Sequence, residues 1–142
     1  NPQFRKNVIH IHDIQHLLNN CDTSCKDEGC IAGWEICAGI WKYFPICFFS
    51  IRAMGYNHWL FPRAVYDGFK KGLNDIGIID LKIKEVDFLK MEFDELVQIT
   101  QKNYHTPMGV TQLIQFLFWC FLSQLLFLFS IIFVAGLTMW LI

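Results

Sequence analysis

No Asp, Glu, Lys or Arg occurs between Asn103 and Ile142, and from Phe116 onward the chain is almost wholly apolar. A run of this length exceeds the roughly 20 apolar residues that cross a hydrocarbon core of about 30 Å. A lone segment in a bilayer must satisfy its own backbone hydrogen bonds, so the run reads as a transmembrane helix rather than a buried core helix. Thr106 as N-cap and Pro107 at the first helical position predict where it starts. A helix over 107–142 would be about 54 Å long at 1.5 Å per residue. Its first turns, with Gln112 and Gln115, are therefore expected to project from the membrane. Gln124 lies mid-span among Ser123, Ser130, Thr138 and Ala135-Gly136. Small and amide residues of this kind mark helix–helix contacts, so this side is expected to face protein.

The rest of the 142 residues allows one compact domain with further membrane helices. A net charge of −1 gives no basic surface for nucleic acid. Asn1 to Glu28 is polar and mixed in charge and reads as no signal peptide, while a cleaved mitochondrial presequence before it would fit. The expected fold is mainly α: an integral membrane protein with the C-terminal transmembrane helix, a second membrane helix and a small soluble connector. Four segments follow. Residues 1–29 are polar, with a short helix beginning near Asp13 and ending near Asn19-Asn20, then a loop over 21–29.

Residues 30–66 form the second membrane region, as a span over 30–52 that buries Glu35 and Lys42, or over 45–66 with Arg52 and His58 inside. An interfacial helix that never crosses is the third placement. An ionisable group at the centre of a span costs about 2.5–3.5 kcal/mol on insertion scales, so these residues should face protein, cofactor or water. Residues 67–106 form the soluble connector. Ile79 to Ile83 alternates like a short strand. Phe88, Leu89, Phe93, Leu96 and Val97 follow a helical period with Asp87 as N-cap. Residues 107–142 complete the chain as the transmembrane helix. Lys and Arg are spread too evenly around the apolar regions to orient it.

Two constellations carry candidate chemistry. In the first, Gly55 to Gly68 gathers His58, Arg63, Tyr66 and Asp67 at the end of an apolar segment. A quinone needs an apolar slot, a hydrogen-bond donor at each carbonyl and a nearby proton source. Tyr66 and Asp67 suit these roles, with Arg63 as electrostatic support, and a neutral His58 could ligate a haem iron. Arg63 and Asp67, spaced i, i+4, could also simply pair with each other.

At these residues the chain resembles the small membrane-anchor subunit of succinate dehydrogenase (respiratory complex II). The resemblance lies in His58-Trp59 followed by Val65 and Asp67, and more loosely in the order helix, quinone-edge motif, connector, final spanning helix. It implies ubiquinone at Tyr66, Asp67 and Arg63, and haem b as a second cofactor. The sequence departs from the family pattern where Gly68 replaces a Tyr and where Tyr56 stands at the haem-ligand position, which leaves His58 as the haem candidate. The family has three spanning helices and a short connector; this chain offers two and a connector of about forty residues.

The second constellation is His10, His12 and His16 followed by Cys21, Cys25 and Cys30. His12 and His16 share one helix face, which suits two ligands to one metal, and Zn²⁺ would take four of the six residues tetrahedrally. The cysteine spacings match no paired C-x2-C finger, so disulfides or unligated side chains are the other readings. Phosphate-binding loops, nucleophile elbows and paired catalytic carboxylates are absent from the sequence, which argues against independent catalysis. The expected role is a membrane-anchor subunit of a mitochondrial complex II-like assembly that contributes to ubiquinone binding and electron transfer. The alternative is a non-catalytic accessory scaffold of another inner-membrane respiratory complex. Both place the chain in the mitochondrial inner membrane, with other subunits and the lipid bilayer as its partners.

Overall fold

The computed structural model describes residues 2–83, 87 and 90–141, and the side chains of 10–83, 87 and 90–141. It is built from helices and turns, and no strand occurs among the described residues. The order is α1 (Pro2–Asn19), α2 (Cys25–Ala38), a 3-10 turn at Ile40–Lys42, α3 (Ile46–Leu60) and α4 (Pro62–Gly72). A second 3-10 turn at Ile78–Leu81, α5 (Phe93–Thr100) and α6 (Val110–Leu141) complete it.

Helix α1 ends where the sequence predicts but begins well before Asp13. The expected loop over 21–29 is cut short because Ser24 caps α2, its hydroxyl accepting the Asp27 N–H at 3.2 Å. Asp27 and Glu28 in the first turn then favour the positive end of the helix dipole. Helix α2 stops at Gly39, whose φ of 104° is open to a residue without a Cβ. Residues 30–66 are therefore not one helix. They break at Gly39 to Pro45 and again at Phe61, where the residue before Pro62 is pushed out of the helical region to φ −138°. Helix α3, with 15 residues, is about 22 Å long, short of a bilayer core.

Helices α2 and α4 cross at close range. Gly33 on α2, and Gly68 and Gly72 on α4, line the crossing, while Gly29, one turn before Gly33, faces Asn57 on α3. A Cβ on Gly68 would fall inside the Cys30 carbonyl oxygen, and one on Gly33 inside that of Val65. Around this contact lies the core: Ala32, Ile36, Ile40, Ile51, Met54, Val65, Phe69 and Leu73, closed by Phe116 and Cys120 from α6. Helix α4 is amphipathic. It buries Ala64, Val65, Gly68 and Phe69 and turns Arg63, Asp67, Lys70 and Lys71 outward.

The connector departs from expectation. Ile79 to Ile83 makes no strand, because Ile78–Leu81 is a 3-10 turn ended by Lys82 at φ 53°. The connector's helix is shorter than its periodicity suggests and begins at Phe93, with Glu92 and not Asp87 preceding it. Phe88 and Leu89 lie outside the described residues.

Helix α6 is the one described helix long and apolar enough to cross a membrane. It starts at Val110, not at Pro107. The Thr106 N–H instead donates to Asn74 Oδ1 at 2.6 Å, and the helical ladder opens with Leu113 N–H on the Gly109 carbonyl. Its 32 residues span about 48 Å. One stripe, Phe116, Cys120 and Ser123, is buried against α3 and α4, whereas residues 131–141 are exposed on every side.

Candidate functional site

The hairpin of α1 and α2 places two imidazoles against two carboxylates. His12 and His16, one turn apart on α1, share the face turned to α2. Glu28 and Glu35, two turns apart on α2, meet them. His16 Nε2 lies 3.2 Å from His12 Nε2 and 3.4 Å from Glu28 Oε1, and His12 Nε2 lies 3.6 Å from Glu28 Oε2. The far nitrogen of each ring is held by an acceptor. His16 Nδ1 is 3.0 Å from the Asp22 carbonyl, and His12 Nδ1 is 3.5 Å from Glu35 Oε1. A carbonyl only accepts, so the ring donates from Nδ1 to Asp22, and this bond fixes the ring with Nε2 turned toward His12 and Glu28. The Asp22 backbone is itself anchored, because its N–H donates to Asp27 Oδ2 at 3.2 Å.

Electrostatics follow from this geometry. The Glu35 carboxylate at His12 raises that imidazole above its ordinary pKa of 6.5. Burial opposes the shift, and the charges of Glu28 and Asp13 reinforce it. The Glu35 side chain is only 7% exposed, so its carboxylate depends on this partner for its stability. Beside the cluster lies a cavity of about 280 Å³, where His12, Gln15, Glu28 and Glu35 meet the apolar side chains of Ile31 and Ile46.

The sequence grouped His10, His12, His16, Cys21, Cys25 and Cys30. Of these, the structure brings His12 and His16 together as candidate metal ligands, and Glu28 joins them. Among the described residues, these three form the one group of His, Cys, Asp and Glu side chains whose ligand atoms all lie within 4.8 Å of one another. Cys21 sits beside Cys30, and burial and that neighbour push its thiol up to about 12. Cys25 and His10 are exposed, and all six cysteines are free thiols. Glu28 was legible as a carboxylate but not as a partner. Its placement follows from the helix start at Ser24, which puts Glu28 and Glu35 on one face of α2.

The constellation of Gly55 to Gly68 is split between two surfaces. His58 and Trp59 turn toward α6: His58 Nδ1 is 3.6 Å from Cys120 Sγ, and Trp59 Nε1–H donates to Gln124 Oε1. Gln124 Nε2 donates in turn to the Gly55 carbonyl at 2.8 Å. The side chain of this one amide thus ties α6 to α3 at both ends. Tyr66 packs edge-on against Phe116 at 5.5 Å, and Arg63 Nε pairs with Asp67 Oδ2 at 3.9 Å. Arg63 is 95% exposed and Asp67 is 59% exposed, on the outer face of α4. Alongside α3 and α6, a groove of about 330 Å³ is lined by Phe48, Arg52, Leu126, Phe129, Ser130 and Phe133.

Comparison with protein-family profiles, curated proteins and solved structures finds no match for this chain.

Proposed function

We propose that this chain is a membrane-anchoring subunit of a larger complex, held in the bilayer by α6 with α3 alongside it. One observation carries this reading. Helix α6 is locked to the helical body along one stripe through Gln124, Gly55 and Trp59, while Leu117, Phe118, Phe121, Leu125 and nearly all apolar residues from Leu128 to Leu141 are exposed. Lipid or a neighbouring subunit suits that surface; water does not. Phe48, Phe49, Tyr56 and Trp59 extend the same exposed apolar band onto α3, and Arg52, with its guanidinium 5.9 Å from the Phe48 ring, can extend its charge toward the headgroups. Helix α3 is too short to span alone and would enter the bilayer only as a partner of α6.

The narrower form of the proposal is the complex II-like anchor, with ubiquinone at Tyr66, Asp67 and Arg63, haem b at His58, and the mitochondrial inner membrane as its location. It rests on the resemblance of the His58-Trp59…Asp67 segment. A scaffold role without a redox site is favoured by a separate observation: Arg63 and Asp67 pair with each other on an exposed face, and His58 is engaged with Cys120.

Co-purification of the full chain in mild detergent tests both. Flavoprotein and iron–sulfur subunits with succinate–quinone reductase activity would support the complex II form. A different stable set of membrane subunits would support the scaffold. A chain that is released from membranes by alkaline carbonate and purifies alone would overturn the proposal.

A further inference from the structure

We infer that His12, His16 and Glu28 form a Zn²⁺ site whose fourth coordination position is left open beside the α1–α2–α3 cavity. The argument begins with spacing. Zinc binds imidazole nitrogen and carboxylate oxygen at about 2.0–2.2 Å, and a tetrahedron with such bonds has edges of about 3.3–3.6 Å. The three distances among His12 Nε2, His16 Nε2 and the Glu28 oxygens are 3.2, 3.4 and 3.6 Å. The two imidazole nitrogens thus already stand at one edge of that tetrahedron, each with a different Glu28 oxygen beside it, and one ligand atom from each of the three side chains falls within 4.8 Å of the others.

The outer contacts point the same way. A zinc-bound histidine ordinarily presents one nitrogen to the metal and donates its other N–H to a carboxylate or a backbone carbonyl. Both arrangements occur here: His12 Nδ1 faces the buried Glu35 carboxylate, and His16 Nδ1 faces the Asp22 carbonyl. The Ser24 cap and the Asp27 bond to Asp22 N–H hold that carbonyl in place. Charge agrees as well, since Glu28 and Glu35 together balance a divalent cation. Imidazole ligands argue against Mg²⁺ and Ca²⁺, which take oxygen shells. Three protein ligands plus one exchangeable position is the pattern of zinc sites that bind a water or a small ligand. The adjoining cavity, about 280 Å³ and lined by His12, Glu28 and Glu35 among apolar side chains, has room for a small anion with an apolar body.

The test uses the full chain in detergent micelles, stripped with a chelator and titrated with Zn²⁺ and, separately, Co²⁺. One metal ion per chain is expected. Four-coordinate Co²⁺ should give visible d–d bands without the near-ultraviolet charge-transfer band of thiolate ligation. Glu28→Gln and His12→Gln should abolish stoichiometric binding, with circular dichroism confirming retained helicity. Glu35→Gln, which touches only the outer contact, should weaken binding about 10–100-fold. The triple change Cys21→Ser, Cys25→Ser and Cys30→Ser should leave binding unaltered. Failure to bind Zn²⁺, a thiolate charge-transfer band, or a Glu28→Gln chain that binds as the wild type does would each overturn the assignment.

Discussion

Gly33 and Gly68 set how near α2 and α4 approach, because each faces a carbonyl oxygen of the other helix. Alanine at an exposed helical position usually gains about 1 kcal/mol over glycine. At Gly68 the added methyl must instead part the two backbones, and overpacking of that kind costs roughly 1–3 kcal/mol or more. Gly68→Ala is therefore expected to lower thermal stability, by about 2 kcal/mol net. Gly136→Ala, with nothing within 4 Å of the new Cβ, should be neutral or slightly stabilising. Equal melting points for the two variants would contradict the close crossing.

Asp80 offers a second single-residue test. Burial works against its charge, but the Tyr43 hydroxyl and the Lys42 ammonium at 2.9 Å hold its carboxyl below the ordinary 3.8. A lowered carboxyl pKa stabilises the fold above about pH 4, and that contribution disappears as pH falls through the folded value. Asp80→Asn should therefore reduce stability at neutral pH and flatten the dependence below pH 4, as read from melting temperature against pH.

At the scale of elements, the α3–α6 seam depends on one amide. Gln124→Leu removes the bonds to Gly55 and Trp59 while keeping the side chain's bulk, and inter-helix hydrogen bonds within bilayers average about 0.6 kcal/mol each. The expected loss is about 1 kcal/mol of helix coupling, measurable as earlier proteolysis or melting in detergent. Gly55→Leu should do more damage, because its Cβ would come within 2.6 Å of the Ser123 carbonyl oxygen.

The elements also differ in how far the sequence discloses them. Helix α6 is plain from its charge-free run, and the protein-facing role of Gln124 follows from the cost of an unpaired amide among apolar neighbours. The ends of α2 were open to a close reading of Ser24-x-x-Asp27 and Gly39, yet the apolar run through Cys30 to Ile51 masks them. A strand over Ile79 to Ile83 was expected because alternation over five residues cannot tell a strand from a turn that buries Ile78. The histidine half of the His12, His16 and Glu28 cluster is visible as i, i+4 spacing. The carboxylate half is not, since it needs the hairpin that brings α2 back against α1. The glycine pairs at i, i+4 were present in the sequence, but they stand on helices whose limits are hidden by the same apolar run.

Over the whole molecule, α6 belongs to two environments. Phe116 contacts Phe69 with ring centroids 5.2 Å apart and helps close the core, while residues 131–141 touch little of the rest. Ending the chain at Gly109 would take Phe116 and Cys120 out of the core and uncover Phe69. Such a chain is expected to aggregate or to show molten packing, seen as lost near-ultraviolet circular dichroism with far-ultraviolet signal retained. Ending it after Ser130 should keep the core contacts and shorten only the bare part. A well-packed soluble body from the Gly109 truncation would show that α6 serves as a tether alone.

The α2–α4 crossing also bears on inherited variation. Every single-base change of a glycine codon that alters the amino acid introduces a larger residue, so Gly33 and Gly68 have no mutational neighbour that fits the space between the helices. Missense variants at these two codons should be depleted in natural populations as strongly as those at a ligand residue, though neither position takes part in any chemistry.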